Sequence, residues 1–219
     1  MPSLEWNRQW GEAFRKFRAR HPDELYGNEW GDPELRGLRY AIHRLFHRGA
    51  SPGPLHRIVD LYIRPYLSPD ATVVEIGCGG GRWTRYLVAA RKLIAVDINP
   101  VFFEPLRARF PHANLEFYQS SGFELHGIPS ASVDYVFSFG TFVHIDPAGI
   151  GEYLGEIQRV LRAGGVAVIQ YAAKEKPAAR NKRTFSAMTA ERMAAMAPLP
   201  LIVHDTRLLN HSNIAVMKK

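Results

Sequence analysis

The sequence predicts an α/β fold: a mostly parallel, doubly wound sheet of seven strands that ends in an antiparallel hairpin and is preceded by a helical cap. Three observations predict it. From about residue 70 onward, short apolar runs alternate with amphipathic helical stretches, the pattern of a parallel sheet covered on both faces. The last two apolar runs are joined too tightly for a crossover, so they pair antiparallel. Residues 1–69 show helical spacing and no strand pattern. The turn Leu67-Ser68-Pro69-Asp70 divides the two parts, giving a cap or lid over 1–69 and a second unit over 70–219.

The elements follow in order. Leu4, Trp6, Trp10, Phe14 and Phe17 are spaced close to i, i+3, i+4, i+7, a helix that His21-Pro22-Asp23 ends. Asp32 and Pro33 read as N-cap and first residue of a helix from about Glu34 to His47. Ser51-Pro52-Gly53-Pro54 breaks it, and a third helix covers Leu55 to Tyr66. Strands are expected at Thr72–Ile76, Leu93–Val96, Leu115–Tyr118, Val133–Phe139 and Gly165–Tyr171. Helices are expected near Trp83–Ala90, Val101–Phe110 and Ala148–Leu161, the last stopped by Gly164-Gly165. Thr189–Met196 is a short helix. Leu201–Leu209 and Asn213–Met217 form the hairpin, joined at Asn210-His211-Ser212.

Composition narrows the function. With 219 residues, 46% hydrophobic and 22% charged, the chain is globular and needs neither metal nor disulfide to hold a core. No apolar run approaches the ~20 residues of a membrane span. Met1 to Arg20 is charged and helical, so no secretory leader is expected and a cytoplasmic protein is. The single cysteine, Cys78, excludes an intramolecular disulfide and a Cys-rich metal site. The net charge is +7. Its densest cluster is Lys174, Lys176, Arg180, Lys182 and Arg183, too short and too poor in aromatics for a nucleic-acid surface.

The most informative stretch is Val73-Val74-Glu75-Ile76-Gly77-Cys78-Gly79-Gly80-Gly81-Arg82-Trp83: a buried strand, a Gly-x-Gly-x-Gly loop, then a helix start. Glycines there permit positive φ and let a ligand approach the backbone. Asp97 ends the next strand, where a carboxylate can accept from both hydroxyls of a ribose. Loop and acid together imply a nucleoside-containing cofactor. The third glycine falls one residue early for the dinucleotide fingerprint G-x-G-x-x-G.

This loop with Glu75 before it resembles motif I of the class I S-adenosylmethionine-dependent methyltransferases. Ala95-Val96-Asp97-Ile98-Asn99-Pro100 is similar to that family's second-strand acidic motif. Ser132-Val133-Asp134-Tyr135-Val136-Phe137-Ser138 is similar to its fourth strand, and Glu156 to Gly165 to its "RVLKPGG" segment. The order matches over about residues 70 to 171. The resemblance implies a Rossmann-like fold and S-adenosyl-L-methionine as cofactor. It places Glu75 near the methionine end, with Gly77, Cys78, Gly79 and Gly81 beneath the cofactor. It gives the ribose to Asp97 and the adenine face to Ile98. Gln119-Ser120-Ser121-Gly122-Phe123 stands where the family often has Gly-Asp-Ala. Ser121 replaces the acid that commonly accepts from the adenine amino group, so Ser121 or a main-chain group must substitute, flanked by Gly122 and Phe123. Ser138 and Phe139 complete the cofactor-side set. Cys78 reads as a small loop residue rather than a nucleophile, and Glu75 as either a cofactor contact or an amide-capping acid.

Acceptor chemistry is sought past the fourth strand, in Ser138-Phe139-Gly140-Thr141-Phe142-Val143-His144-Ile145-Asp146-Pro147. His144 suits general-base work near neutral pH; the alternative is a structural histidine. Asp146 orients that imidazole, or with Pro147 caps the next helix. No metal is expected. Trp30, Trp83 and His144 are the expected acceptor-binding residues, with Trp6, Trp10, Tyr26 and Tyr40 as a lid or as ordinary core. The Lys174–Arg183 segment either receives an anionic group or is a solvated loop. "GGGRWTRYL", "FSFGTFVHID" and "RTFSAMTAE" also resemble a bacterial subgroup acting on sugars and natural products, which implies O-methylation of a small-molecule or glycosyl hydroxyl. The competing readings are a small-molecule N-methyltransferase, a nucleic-acid methyltransferase or binding protein, and a cofactor-binding module without catalysis.

Overall fold

The computed structural model describes residues 4–28, 31–46, 54–111 and 114–219. A seven-stranded sheet runs in the order β3-β2-β1-β4-β5-β7-β6. Its strands are β1 (Thr72–Ile76), β2 (Lys92–Asp97), β3 (Leu115–Gln119), β4 (Val133–Ser138), β5 (Leu161–Ala172), β6 (Leu201–Asp205) and β7 (Ser212–Lys218). The first five are parallel, and β7 joins β5 and β6 antiparallel. Chain order runs outward from β1 through β2 to β3, then restarts on β1's other side with β4. That reversal opens a crevice at the carboxyl ends of β1 and β4, where ligands bind in open α/β sheets.

The central strands are largely apolar because both of their faces are covered. Every residue of Thr72–Ile76 is buried. Val73, Leu93, Ala95, Tyr135 and Phe137 face one core with Phe14, Tyr26, Leu55, Ile58 and Val59 of the N-terminal part. Val74, Ile94, Val96 and Val136 face the other, against Ile150, Leu154 and Ile157. The last three lie on α6 (Pro147–Val160), whose buried side recurs at helical spacing.

The other helices are α1 (Leu4–Arg20), α2 (Gly37–Phe46), α3 (His56–Ile58, continued by a π-helical turn over Val59–Ile63), α4 (Thr84–Leu87), α5 (Phe103–Arg109), α7 (Pro177–Arg180) and α8 (Ala190–Met196). Several boundaries differ from expectation, four of them with a visible cause. α2 starts at Gly37, not Glu34, because Asp32 spends its carboxylate on a turn, accepting from the Glu34 N–H at 2.9 Å and from Arg85 at 2.8 Å. The third helix widens into a π turn, in which the Arg64 N–H reaches the Val59 carbonyl. Gly164-Gly165 does not stop α6. That helix gives way at Leu161, which is extended and fully buried, and pairs with Val133. Gly164 (φ +79°) lies in the bulge that follows, before Val166 pairs with Tyr135. β6 ends at Asp205, because its carboxylate turns the chain by accepting from the Arg207 and Leu208 amides.

One half-buried ion pair fastens α6 to the chain ahead of β4. Arg159 Nε and Nη2 donate to Glu156 at 2.8 Å each, and the guanidinium also donates to the Leu125 and Ile128 carbonyls. Glu156 accepts in turn from the Leu125 N–H. The Arg159 bond is the first cause holding the Glu156 carboxyl down at about 2. Glu156→Gln is expected to cost about 2 kcal/mol of unfolding free energy by urea denaturation at pH 7. The folded value lies below the ordinary 4.5, so this stabilisation is complete above the latter and disappears as pH falls through about 2.

Candidate active site

The crevice is floored by the turn from β1 into α4. Gly77 (φ +77°), Gly79 (φ +46°) and Gly81 (φ +90°) adopt a backbone that L side chains avoid. A Cβ on Gly77 would lie 1.8 Å from Thr141 Oγ1, and one on Gly80 would lie 2.3 Å from Tyr26 Cβ. Above Gly79 a Cβ would meet nothing within 4 Å. The loop is thus pinned at its sides and open at its middle. Cys78 is buried, and burial raises its thiol pKa, so it is a packing residue of this turn.

Two acids flank the loop. Asp97, at the end of β2, accepts from the Gly79 N–H at 3.0 Å and the Asn99 N–H at 2.9 Å. Burial raises its carboxyl to about 6 against these amide bonds. Glu75 is 1% exposed and accepts from Thr84 Oγ1 at 2.6 Å. Burial raises it to about 8 despite that bond, with the Asp97 charge adding to the shift. An open glycine cradle beside an acid with two acceptor oxygens fits an adenosyl group bearing a ribose diol. Gly77, Gly79, Gly81 and Asp97 would hold it.

The next edge is the loop after β3. Ile98 is half-buried beside Asp97. Ser121 is exposed, and both its N–H (2.6 Å) and hydroxyl (3.0 Å) engage Glu124 Oε1. Position 121 carries no acid, and the carboxylate of Glu124 folds back onto the turn there. Glu124 is not among the expected site residues, although it is the acid nearest position 121 in that loop. Gly122 accepts at its carbonyl from Ser120 Oγ and Tyr153 Oη. Phe123 packs edge-on against Tyr153 and lies where a Cβ on Gly149 would be 2.5 Å away.

The loop after β4 is held from below. Ser138 Oγ donates to the Ile76 carbonyl at 2.8 Å, tying β4 to β1. Phe139 stacks tilted on Trp83, with centroids 4.6 Å apart. Trp83 is 4% exposed, packed also on Phe137, so it belongs to the core wall rather than to an exposed platform. Gly140 donates its N–H to Gln170 Oε1 at 2.7 Å, and Gln170 Nε2 donates to Ser212 Oγ at 2.7 Å.

His144 Nδ1 lies 2.9 Å from the Thr184 carbonyl. A carbonyl only accepts, so Nδ1 carries the proton and the basic lone pair is on Nε2. Burial is the first cause lowering this imidazole's pKa, and Lys182 adds to it. Trp10 of α1 stands 6.2 Å from the His144 ring, and Phe185 meets it edge-on at 5.5 Å. Asp146 accepts from the Gly149 N–H at 3.0 Å as the N-cap of α6. Of the roles expected of Asp146, the helix cap is the one this bond fills, and His144 Nδ1 is engaged by the Thr184 carbonyl.

The N-terminal part lies over the crevice. Tyr26 bridges to Gly81, and Arg82 Nη1 donates to the Gly27 carbonyl at 2.7 Å. Phe14 packs on Phe102 at 4.7 Å, and Gly11 brings α1 against Asn99. Trp30 lies outside the described residues. In the basic segment, Lys174 Nζ donates to the Lys182 carbonyl and Lys176 Nζ to the Leu209 and Ser212 carbonyls. Those two lysines staple loops together, which leaves Arg180, Lys182 and Arg183 exposed at the rim. No helix among the described residues is long and apolar enough to cross a membrane.

Residues 73–165 match the family described as "Methyltransferase domain". Over 150 residues the chain is 33% identical to trans-aconitate 2-methyltransferase of Azoarcus sp., covering 64% of this chain and 56% of the relative. Over 132 residues it is 30% identical to an uncharacterized methyltransferase of Bacillus subtilis, covering 59% and 55%. The chain thus spans little more than half the length of these curated relatives. In fold it is similar to an S-adenosylmethionine-dependent methyltransferase of Aquifex aeolicus, with TM-score 0.61, 15% identity, and 94% and 97% of the two chains covered. It is likewise similar to the 1,6-didemethyltoxoflavin-N1-methyltransferase of Burkholderia thailandensis, solved with S-adenosylhomocysteine, with TM-score 0.58, 21% identity, and 98% and 89% covered. Residues 73–165 thus resemble a methyltransferase domain in sequence, and the chain as a whole has the fold of solved S-adenosylmethionine-dependent methyltransferases.

Proposed function

We propose that this chain methylates a hydroxyl oxygen of a small-molecule or glycosyl acceptor, with His144 as general base. The observation that carries the reading is the 2.9 Å contact of His144 Nδ1 with the Thr184 carbonyl, which leaves Nε2 as the basic nitrogen. Bound S-adenosylmethionine supplies an activated methyl carbon whose bonding pair returns to sulfur on transfer. Asp97 receives the ribose hydroxyls. Glu124 and the turn it caps take the adenine edge, with Ile98 on its face. Glu75 and the glycine loop lie at the methionine end, with Thr141 over Gly77. His144 Nε2 takes the hydroxyl proton as the acceptor oxygen attacks. Residues 1–69 act as a lid over the 70–219 unit. Trp10, Tyr26 and Arg82 close it and exclude water from the reacting atoms.

The test is an acceptor screen by mass spectrometry for the gain of one methyl group, followed by kinetics on the best acceptor. His144→Ala is expected to lower turnover about 100-fold or more and leave S-adenosylmethionine affinity unchanged. Wild-type turnover is expected to fall on the acid side, because burial holds the imidazole below 6.5 and only its neutral form accepts a proton. Wild-type rates for His144→Ala from about pH 6 to 9 would remove the base role.

A second reading is transfer to a carboxylate oxygen. The name of the Azoarcus relative and the net charge of +7 support it. A carboxylate arrives ionised, so His144→Ala would then retain most activity and the product would be an ester that mild alkali cleaves.

A further inference from the structure

Beyond the base, the acceptor side holds a second imidazole that the reading above does not use. His211 sits in the β6–β7 connection. Its ring meets Phe185 edge-on at 5.4 Å, just as His144 meets the same ring at 5.5 Å. Phe185 is therefore clasped between two imidazoles from loops distant in sequence. Those loops share one strut. Gln170 is 2% exposed and bonds the Gly140 N–H on one side and Ser212 Oγ, next to His211, on the other. The 184–186 segment is fixed too, by the Ser186 N–H donating to the Val143 carbonyl at 2.7 Å.

His211 Nδ1 is buried without a hydrogen-bond partner among the described residues. A buried, unsatisfied ring nitrogen is costly unless a ligand completes it. Positive charge gathers around it. Burial first, and then Lys182, hold this imidazole down at about 4, with Lys176 and His144 adding to the effect. Lys182 Nζ lies 4.8 Å from the Phe185 ring centroid. Among the described residues no carboxylate pairs with Lys182, Arg180 or Arg183, whereas Lys174 and Lys176 are spent on main-chain carbonyls.

We propose that His211 and Lys182 bind a carboxylate carried by the acceptor, which makes the substrate class a hydroxyl-bearing carboxylic acid. This rests on the hydroxyl-methylating reading above and adds a specificity site to it. One imidazole N–H and one ammonium are two donors, which match the two oxygens of a carboxylate. A phosphate dianion has three oxygens to satisfy. Phe185 supplies an apolar wall between the anion subsite and His144, so the hydroxyl to be methylated lies on the His144 side.

The test uses matched ligand pairs and does not need the natural acceptor. Tricarballylate, glutarate and 4-hydroxybenzoate are each titrated against their amides, with inorganic phosphate as a further probe. Binding is read by ligand-observed NMR on the full chain, with and without S-adenosylhomocysteine. The expected result is that at least one acid binds about tenfold or more tighter than its amide. Lys182→Met and His211→Phe should each erase most of that preference. His211→Asn, whose amide nitrogen can donate near the Nδ1 position, should keep it, which separates loss of a donor from loss of fold. Acids binding no better than amides, phosphate binding better than the acids, or indifference to both Lys182→Met and His211→Phe would each overturn the proposal. Absence of S-adenosylhomocysteine binding would instead sink the methyl-transfer reading, and the unloaded titrations would still decide the carboxylate subsite.

Discussion

Asp97→Ala is expected to weaken S-adenosylmethionine binding about tenfold or more by calorimetry, which is about 1.4 kcal/mol. Hydrogen bonds to a charged acceptor contribute about 1.5–3 kcal/mol each, and the ribose diol offers two. The same carboxylate also holds the glycine loop, through the Gly79 N–H at 3.0 Å, so its loss loosens the cradle as well as the sugar contact. The two contributions separate in Asp97→Asn, whose remaining oxygen can keep the loop bond while the charge is gone. Affinity for the cofactor should also depend on pH. Burial raises the Asp97 carboxyl to about 6, and only the ionised form accepts from both hydroxyls. Binding is therefore expected to strengthen as pH rises through that value, and to be flat there in Asp97→Asn. Unchanged affinity in Asp97→Ala would contradict the ribose role and, with it, the assignment of the crevice.

The parts of this molecule that local chemistry dictates were legible in the sequence. β1 occupies Thr72–Ile76 as expected, because a mostly β-branched run between turn residues has few other uses in a two-sided sheet, even with Glu75 inside it. The glycine loop and Asp97 were legible because positive φ demands glycine and because an acid at a strand's carboxyl end is rarely packing. What escaped was made by chain folding over distance. Thr184, which fixes the His144 tautomer, lies forty residues away and acts through its carbonyl, which any residue type would provide. Glu124 reaches back to Ser121, so the acid nearest that turn comes from three positions on, a fold-back that the sequence does not display. Lys174 and Lys176 looked like free surface charge, yet they turn inward to carbonyls, a choice that composition cannot reveal. Trp83 reads from its position as an acceptor-binding residue, but Phe137 and Phe139 bury it. The helix stop at Gly164-Gly165 failed because Leu161 gains more from pairing in β5 than from another helical turn.

Glu75→Gln is expected to stabilise the cofactor-free protein at alkaline pH while weakening cofactor binding. Glu75 is fully inside the fold, bonded to Thr84 Oγ1 at 2.6 Å, and burial raises its carboxyl from 4.5 to about 8. Between those two values the folded state keeps a proton that the unfolded state has released. Unfolding free energy therefore falls with rising pH across that window, by up to about 1.4 kcal/mol per pH unit, and levels off above about 8. The total is at most about 5 kcal/mol, large beside the 5–15 kcal/mol that typically holds a domain together. Glutamine keeps an oxygen for the Thr84 hydroxyl and has no proton to lose, so the variant should match the wild type near pH 4.5 and exceed it increasingly up to about pH 8, with a constant gap beyond. Urea denaturation at four pH values measures this directly. The same buried negative charge, unfavourable alone, becomes favourable when a cationic sulfonium lies nearby, so cofactor binding should restore in the wild type what burial costs it. A ligand-induced rise in Tm at pH 8 that is larger for wild type than for Glu75→Gln is the expected signature. Parallel pH profiles for the two proteins, or equal ligand-induced shifts, would mean that Glu75 only caps Thr84 and takes no part in holding the donor.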